Sequence, residues 1–143
     1  QMVWTGSVPE GDDALDTVRL DAGHVPQMLA LVAATQPGPF GPRTVELGDY
    51  YGVFDGGRLV AMAGERMEAG TLREISGVCT DPAFQGRGYA RRLMLKLVRA
   101  QLARGQVPFL HVMRGNVHAA GLYERMGFRR HGEIAVRVVS RSG

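Results

Sequence analysis

The stretch that decides the fold is Gln85-Gly86-Arg87-Gly88-Tyr89-Ala90, which joins a predicted strand to a predicted helix. The strand is the β-like run from Arg73 to Thr80, and a turn at Asp81-Pro82 follows it. The helix is amphipathic and extends to about Arg104. The first backbone N–H groups of a helix have no intrahelical partner and lie at the positive end of the helix dipole. Glycine lets such backbone approach a ligand closely, so the stretch predicts a cradle for an anion, usually a phosphate.

Two familiar phosphate-binding motifs do not match this stretch. A P-loop has a lysine directly after its last glycine, whereas Lys96, the only lysine of the chain, lies well inside the helix. A dinucleotide-binding Gly-x-Gly-x-x-Gly would have its third glycine where Arg91 stands. A glycine-rich turn without a ligand is the alternative interpretation.

Two motifs carry a resemblance to a known family. Gln85, Gly88 and Ala90 match the pattern Gln/Arg-x-x-Gly-x-Gly/Ala. The run from Asn116 to Phe128 matches Asn-x-x-Ala-x-x-Leu-Tyr-x-x-x-Gly-Phe at every stated position. Over about residues 16–141 the chain resembles the GNAT superfamily of N-acetyltransferases. The segment Thr35-Gln36-Pro37-Gly38-Pro39-Phe40 is similar to a bacterial branch of that superfamily.

The resemblance implies an α+β fold, an α/β/α sandwich around a mixed, mostly antiparallel sheet with a splayed central strand pair. We expect one GNAT domain over residues 14–143. Residues 1–13 contain glycine, proline and acidic side chains, so we expect them to be loosely ordered. Gln1 is not a normal initiator, so a missing upstream region is compatible with this organisation.

Local patterns predict the element order β-α-α-β-β-β-α-β-α-β. A Gly56-Gly57 pair between two apolar runs is typical of a β-hairpin, and Asp21 is a good helix N-cap. The predicted strands cover Asp16–Leu20, Tyr51–Phe54, Leu59–Ala63, Arg73–Thr80, Val107–Met113 and Glu133–Val139. The predicted helices follow Asp21, cover residues 44–47 and 85–104, and begin at Asn116.

Bulk properties restrict the function classes. With 143 residues, 45% hydrophobic and 22% charged, the composition is that of one globular domain. The net charge of +3 is mild and the arginines are dispersed, which disfavours nucleic-acid binding. No apolar run approaches the roughly 18 residues of a membrane span. Cys79 is the only cysteine, which fits a reducing cytoplasm.

The resemblance implies acetyl-CoA as co-substrate, without a metal. Its pyrophosphate would lie on the cradle, and its pantetheine arm would pair with the edge of the strand that ends at Thr80. Gly77 is a reasonable bulge residue in that strand. Arg87 and Arg91 are expected to face the phosphates, because cations at a helix N-terminus are unfavourable unless an anion is present. Arg92, Lys96 and Arg99 are expected to form a solvated face. The expected cofactor contacts are Val78, Cys79, Thr80, Gln85, Gly86, Arg87, Gly88, Tyr89, Ala90, Arg91, Asn116 and Ala119.

Tyr123 and Glu74 are the predicted catalytic residues. The resemblance implies that Tyr123 is the general acid for the departing thiolate, although its helical spacing also fits a core tyrosine. Glu74 would take the proton of the acceptor ammonium; the alternative is a strand-edge glutamate paired with Arg73 or Arg58. His111 is a rival base, because imidazole titrates near neutral pH.

Other residues of this region have structural interpretations as well. Asn116 is either a helix N-cap or a cofactor contact. Cys79 is interpreted as a small buried hydrophobe rather than an acyl carrier. His24, His118 and His131 are expected at the surface.

The sequence therefore predicts an N-acetyltransferase that moves an acetyl group from acetyl-CoA to a primary amine by direct attack. The acceptor is a small-molecule amine or a protein N-terminus or lysine, and residues 37–43 would shape its pocket. A catalytically silent acyl-CoA-binding regulatory module is the alternative, and an RNA-associated module is disfavoured by the dispersed charge. A homodimer is left open; no membrane or nucleic-acid partner is expected.

Overall fold

A computed structural model describes residues 1–12, 14–35, 40–41, 43–113 and 115–130. In these residues a seven-stranded sheet has the order β2-β3-β4-β5-β6-β1-β7. The strands are β1 (Met2–Trp4), β2 (Val18–Leu20), β3 (Tyr50–Asp55), β4 (Arg58–Ala69), β5 (Leu72–Thr80), β6 (Val107–Leu110) and β7 (Phe128–Arg130). The helices are α1 (Val25–Thr35), α2 (Tyr89–Ala103) and α3 (Val117–Met126), with short 3-10 turns at Ala22–His24, Thr44–Leu47 and Pro82–Phe84.

The sheet is mixed and mostly antiparallel, as predicted; β5 and β6 form its parallel pair among the described strands. The β3–β4 hairpin turns at Gly56 and Gly57, whose φ angles of 55° and 87° lie in the left-handed region. That region is costly for residues with a side chain, so the Gly-Gly pair favours this turn.

Two apolar layers cover the two faces of the sheet. On one face α1 contributes Met28 and Leu31, which pack with Tyr50 and Met62. On the other face lies the larger cluster formed by α2 and α3 with the sheet, including Leu93, Leu97, Val98, Ala120 and Phe128. The α/β/α sandwich is therefore confirmed, and the apolar stripe of α2 faces the sheet as its spacing predicts.

The N-terminal residues correct one prediction. Residues 1–13 were expected to be loosely ordered, but Met2–Trp4 form β1, which pairs antiparallel with both β6 and β7. Met2 is 1% exposed, and the Trp4 ring lies edge-on to Phe128 with 5.1 Å between centroids. The short β7 was not predicted either. Neither segment alternates apolar and polar side chains, as Val18–Leu20 does, so neither shows a strand pattern without its partners.

The pairing between β5 and β6 stops early, and this creates the split in the sheet. Their register runs from Leu72↔Val107 to Glu74↔Phe109. Beyond Glu74, β5 continues to Thr80 along β4, whereas β6 ends at Leu110. The predicted splay is confirmed, and the predicted strand Val107–Met113 is three residues too long. The edge of β5 that faces the split carries no strand partner among the described residues over 75–80.

Some predictions lie outside the described residues: the last strand Glu133–Val139, the side chain of His131, and positions 36–39 of the Pro-Gly-Pro loop. Phe40, at the end of that loop, is described, and its ring lies edge-on to Tyr50 with 5.9 Å between centroids. None of the described helices is long and apolar enough to cross a membrane.

Candidate active site

The predicted cradle is a helix start that no side chain caps. Gly88 is the N-cap of α2 with φ 75°, and Gly86 has φ 84°; both angles lie in the left-handed region. Among the described residues, no group accepts from the N–H groups of Tyr89, Ala90 or Arg91. A Cβ built on Gly86 would meet nothing within 4 Å, so the space in front of the loop is open. Such a start offers unpaired donors and a positive dipole end to an anion.

The arginines near the cradle divide into two groups. Arg87 is exposed and stacks over the Phe84 ring, with its guanidinium 4.8 Å from the centroid, and Arg91 is also exposed. Arg92 instead binds Asp12, with 2.7 Å between Nη2 and Oδ1. Lys96 lies over the Tyr51 ring, 4.8 Å from its centroid. Residues distant in the sequence thus contact Arg92 and Lys96, but Lys96 and Arg99 are exposed and the Arg92–Asp12 pair lies at the surface, in agreement with the predicted solvated face.

The bulge in β5 lies beside the open edge. Ser76 pairs with Gly64 and Cys79 with Met62, so Gly77 and Val78 oppose the single residue Ala63. Gly77 has φ 65°, and a Cβ there would lie 3.0 Å from the buried Tyr50 ring. The bulge predicted at Gly77 is confirmed, and both the backbone angle and Tyr50 favour glycine at this position.

Cys79 is a buried side chain on the α1 face of the sheet. Burial raises the pKa of its thiol to about 11. The thiol is therefore almost entirely protonated at neutral pH, which opposes a nucleophilic role. This supports its interpretation as a small hydrophobe.

Glu74 lies at the apex of the split and is 2% exposed. Arg66 of β4 donates two hydrogen bonds to its carboxylate, Nε to Oε1 at 2.8 Å and Nη2 to Oε2 at 2.8 Å. His111, directly after β6, places Nδ1 2.8 Å from Oε2. The predicted alternative, a strand-edge glutamate paired with Arg73 or Arg58, was wrong: Arg73 and Arg58 bind other carboxylates.

Arg66 is the residue that sequence reasoning missed. An unbroken ladder from the Gly70-Thr71 turn would place Met67 opposite Glu74. The structure has a register shift between Glu65 and Glu68, so two residues of β4 lie opposite Glu74 and Arg66 reaches it. A bulge in the middle of a strand has no sequence signal here, since no glycine marks it.

Tyr123 and Asn116 lie on α3. Tyr123 is half-buried, with its ring edge-on to Phe128 at 6.2 Å between centroids. Burial raises the pKa of its hydroxyl, which therefore keeps its proton at neutral pH. Asn116 caps the helix by accepting from the N–H of Ala119 at 3.1 Å. The N-cap interpretation of Asn116 is confirmed, and contact of Asn116 and Ala119 with the cofactor stays a prediction.

Comparison with models of protein families identifies the family of this chain. Residues 50–138 match the model of the family described as FR47-like protein. The chain belongs to the FR47-like family. This match includes the bulged strand β5, the cradle and α3, and the family comparison agrees with the GNAT fold seen in the sheet.

Individual relatives of this FR47-like protein are acetyltransferases. A crystal structure from Novosphingobium aromaticivorans, assigned to the GNAT family of acetyltransferases, is 48% identical with a TM-score of 0.84; the match covers 91% of this chain and 58% of that one. The N-alpha-acetyltransferase RimI of Mycobacterium tuberculosis is 41% identical over 86 residues, 58% of this chain and 53% of RimI. The spermine/spermidine N(1)-acetyltransferase of Bacillus subtilis is 32% identical over 56 residues, covering 38% of this chain and 37% of that protein. The chain thus spans little more than half the length of its first two relatives.

Within the described residues, no cluster of three or more His, Cys, Asp or Glu side chains could hold a metal ion. The polar groups that converge at the split are a carboxylate, an imidazole and a guanidinium. The carboxylate and the imidazole suit proton transfer, whereas the guanidinium keeps its charge.

Proposed function

We propose that this protein transfers the acetyl group of acetyl-CoA to an amine that attacks the thioester directly. The observation that carries this proposal is the unpaired edge of β5, which lies just before the uncapped start of α2. The edge can accept an extended amide-containing arm as an added strand, and the helix start can accept a pyrophosphate. One acyl carrier, coenzyme A, has both parts in one molecule.

The proposed site assigns parts of the co-substrate to described residues. Its pyrophosphate lies on Gln85 to Arg91, and its pantetheine arm lies along Val78 to Thr80. The N–H of Val78 faces the thioester oxygen, where negative charge develops during attack. Tyr123 donates a proton to the sulfur as the thiolate departs. The Glu74–His111 cluster takes the proton that the acceptor ammonium must lose before its nitrogen can attack.

The acceptor is a primary amine, either a small molecule or the N-terminus or a lysine of a protein. The names of the relatives support both classes, since one is an N-alpha-acetyltransferase and another acts on polyamines. We expect the reaction to take place in the cytoplasm.

Calorimetry with acetyl-CoA tests the cradle. Gly88→Val should weaken binding by about tenfold or more, or 1.4 kcal/mol, because a side chain would enter the space of the phosphates. Gly105→Val is the matched control: Gly105 also has a left-handed φ, 78°, and open space around it, but it follows α2 at the opposite end. Equal affinities in the two folded variants would remove the cradle from the proposal.

Release of free CoA thiol tests turnover. The acceptors are spermidine, a peptide with a free N-terminal alanine, and the same peptide with a blocked N-terminus. Turnover that needs a free amine supports the transferase. Tight acetyl-CoA binding without turnover of any amine would instead indicate the catalytically silent binding module.

A further inference from the structure

The geometry around Glu74 separates a buried anion from an accessible base. Both carboxylate oxygens accept from Arg66, and the side chain is 2% exposed. A proton on either oxygen would neutralise the carboxylate and so weaken its ion pair with the Arg66 guanidinium. An acceptor ammonium would also have to reach a carboxylate that is almost fully covered. Glu74 is therefore poorly placed to take the proton itself.

His111 has the opposite properties. Its side chain is 48% exposed, and it follows Leu110, the last residue of β6, where the split opens. A carboxylate paired with an arginine only accepts hydrogen bonds, so the 2.8 Å contact with Glu74 assigns the proton to Nδ1 of the neutral imidazole. Nε2 then carries a lone pair. Gln1 lies with its amide nitrogen 3.4 Å from Nε2, in keeping with an acceptor at that position.

We propose that His111 is the catalytic base of this protein and that Glu74 is a positioning residue that holds it, itself fixed by Arg66. This assignment rests on the proposed function. Glu74 selects the tautomer with an unprotonated Nε2, and its negative charge stabilises the imidazolium that forms. The acceptor ammonium takes the place of the Gln1 amide at that nitrogen. The pairing is the carboxylate–imidazole arrangement in which the second nitrogen does the chemistry.

The proposed reaction conserves protons and electrons. The ammonium N–H bond breaks and its proton moves to His111 Nε2, which leaves a free amine. The amine lone pair forms a bond to the thioester carbon, and the C–S bond breaks. The sulfur takes the proton of the Tyr123 hydroxyl, and the tyrosinate recovers a proton from the new amide nitrogen. The products are an N-acetylated amine, free CoA thiol and one proton, which His111 returns to water.

The charged groups that face the imidazole are few. Among the described residues, Glu74 contacts it from β5, and Arg66 lies behind Glu74 on β4. Gln1 is neutral at its side chain, and the Phe109 ring of β6 lies edge-on at 5.6 Å between centroids. A change in the pH profile of kcat/KM on substitution of His111 would therefore reflect the imidazole together with its carboxylate partner, Glu74.

The test compares the pH profiles of kcat/KM for wild type, His111→Gln, Glu74→Gln and the double variant, with spermidine and the alanine peptide as acceptors. His111→Gln should lose about 100-fold or more near pH 7. Its rate should then rise about tenfold per pH unit, following the share of free amine in solution. Glu74→Gln should lose less, about tenfold, and should keep a plateau, because the imidazole that takes the proton is still present. The double variant should match His111→Gln, because the two residues act as a unit.

Each contrary outcome has a distinct meaning. If wild type acetylates neither acceptor, the proposed function fails, and the role of His111 fails with it. If wild type is active and the profile of His111→Gln is parallel to it, only the assignment of His111 is overturned. A plateau that disappears in Glu74→Gln but persists in His111→Gln would make Glu74 the direct base.

Thermal unfolding and acetyl-CoA affinity of each variant serve as controls for folding. Should Glu74→Gln fail to fold, rescue of His111→Ala by added imidazole decides the question alone. Imidazole should restore part of the activity at neutral pH, and the absence of any rescue together with a parallel pH profile would overturn the assignment.

Discussion

Glu65 on β4 and Glu74 on β5 are both 2% exposed and both paired with arginine, yet their surroundings differ in kind. Glu65 accepts from Gln101 at 2.9 Å, from Arg104 at 2.6 Å and from the backbone N–H of Asp49 at 3.1 Å. Gln101 and Arg104 lie at the C-terminal end of α2 and Asp49 directly precedes β3, so the carboxylate ties β4 to both of these elements.

Among the described residues, Glu74 is bound by Arg66, a structural partner, and by His111, whose side chain is 48% exposed. The difference shows that burial of a carboxylate does not by itself distinguish a scaffold from a site. The deciding property is whether a hydrogen-bond partner of the carboxylate can itself take up a proton. The side-chain partners of Glu65 are arginines and an amide, which cannot, whereas Glu74 has an imidazole, which can.

The largest effect on stability is expected from Glu65→Gln. Removing one partner of a buried ionic network typically costs about 3–5 kcal/mol, because the remaining charges lose their counter-ion. Urea unfolding measures the change. Glu68→Gln is the matched control, since Glu68 is exposed and, within the part of the chain that the structure describes, accepts a side-chain hydrogen bond only from Gln106, at 2.8 Å. If Glu65→Gln were as stable as Glu68→Gln, the structural role assigned to Glu65 would be wrong.

Tyr123→Phe tests whether Tyr123 belongs to the site, as proposed for Glu74, or to the core. The proposed role predicts a fall in kcat of about 10- to 100-fold with little change in KM for acetyl-CoA, because the hydroxyl matters mainly as the thiolate leaves. In energy this is roughly 1.4–2.7 kcal/mol of transition-state stabilisation. Steady-state kinetics measures kcat and KM separately. Equal rates in wild type and Tyr123→Phe would show that Tyr123 is a core residue without a catalytic role.

The acid dependence of stability should sharpen the contrast further. Burial alone would raise the pKa of Glu65, but the hydrogen bonds from Gln101, Arg104 and Asp49 outweigh it and lower the pKa below its ordinary value of 4.5. A lowered pKa stabilises the folded state above the ordinary value, and this contribution is lost as pH falls below it. Urea midpoints should therefore drop less steeply between about pH 5 and pH 3 in Glu65→Gln than in wild type. Parallel curves would show that Glu65 does not contribute to acid sensitivity.

The smallest effect is expected from Arg92→Ala, which removes the exposed ion pair with Asp12. The hydrogen bond from Arg92 lowers the pKa of Asp12, but both groups are open to solvent, where ion pairs contribute little. The urea midpoint should stay close to that of wild type and should change less at high salt. A loss as large as that of Glu65→Gln would mean that residues 10–12 anchor α2 more strongly than an exposed pair allows.

Much of the fold could be predicted because its signals are local. The Gly56-Gly57 turn, the Asp21 cap and the stripe of α2 each depend on residues within one turn or one hairpin. Met2–Trp4 and Phe128–Arg130 were missed because neither segment alternates apolar and polar side chains; each is a strand through its partners, not through its own pattern.

The sequence by itself determined the glycine cradle, the position of the bulge at Gly77 and the residue types available for proton transfer. These follow from backbone freedom and side-chain chemistry, which a residue carries wherever it lies. Only the tertiary structure decided which of these groups meet. Arg66, Glu74 and His111 come from three strands or their ends, and a shift in the β4–β5 register brings the first two together. Side chains on neighbouring strands become partners through register, and register depends on the whole sheet rather than on any one strand.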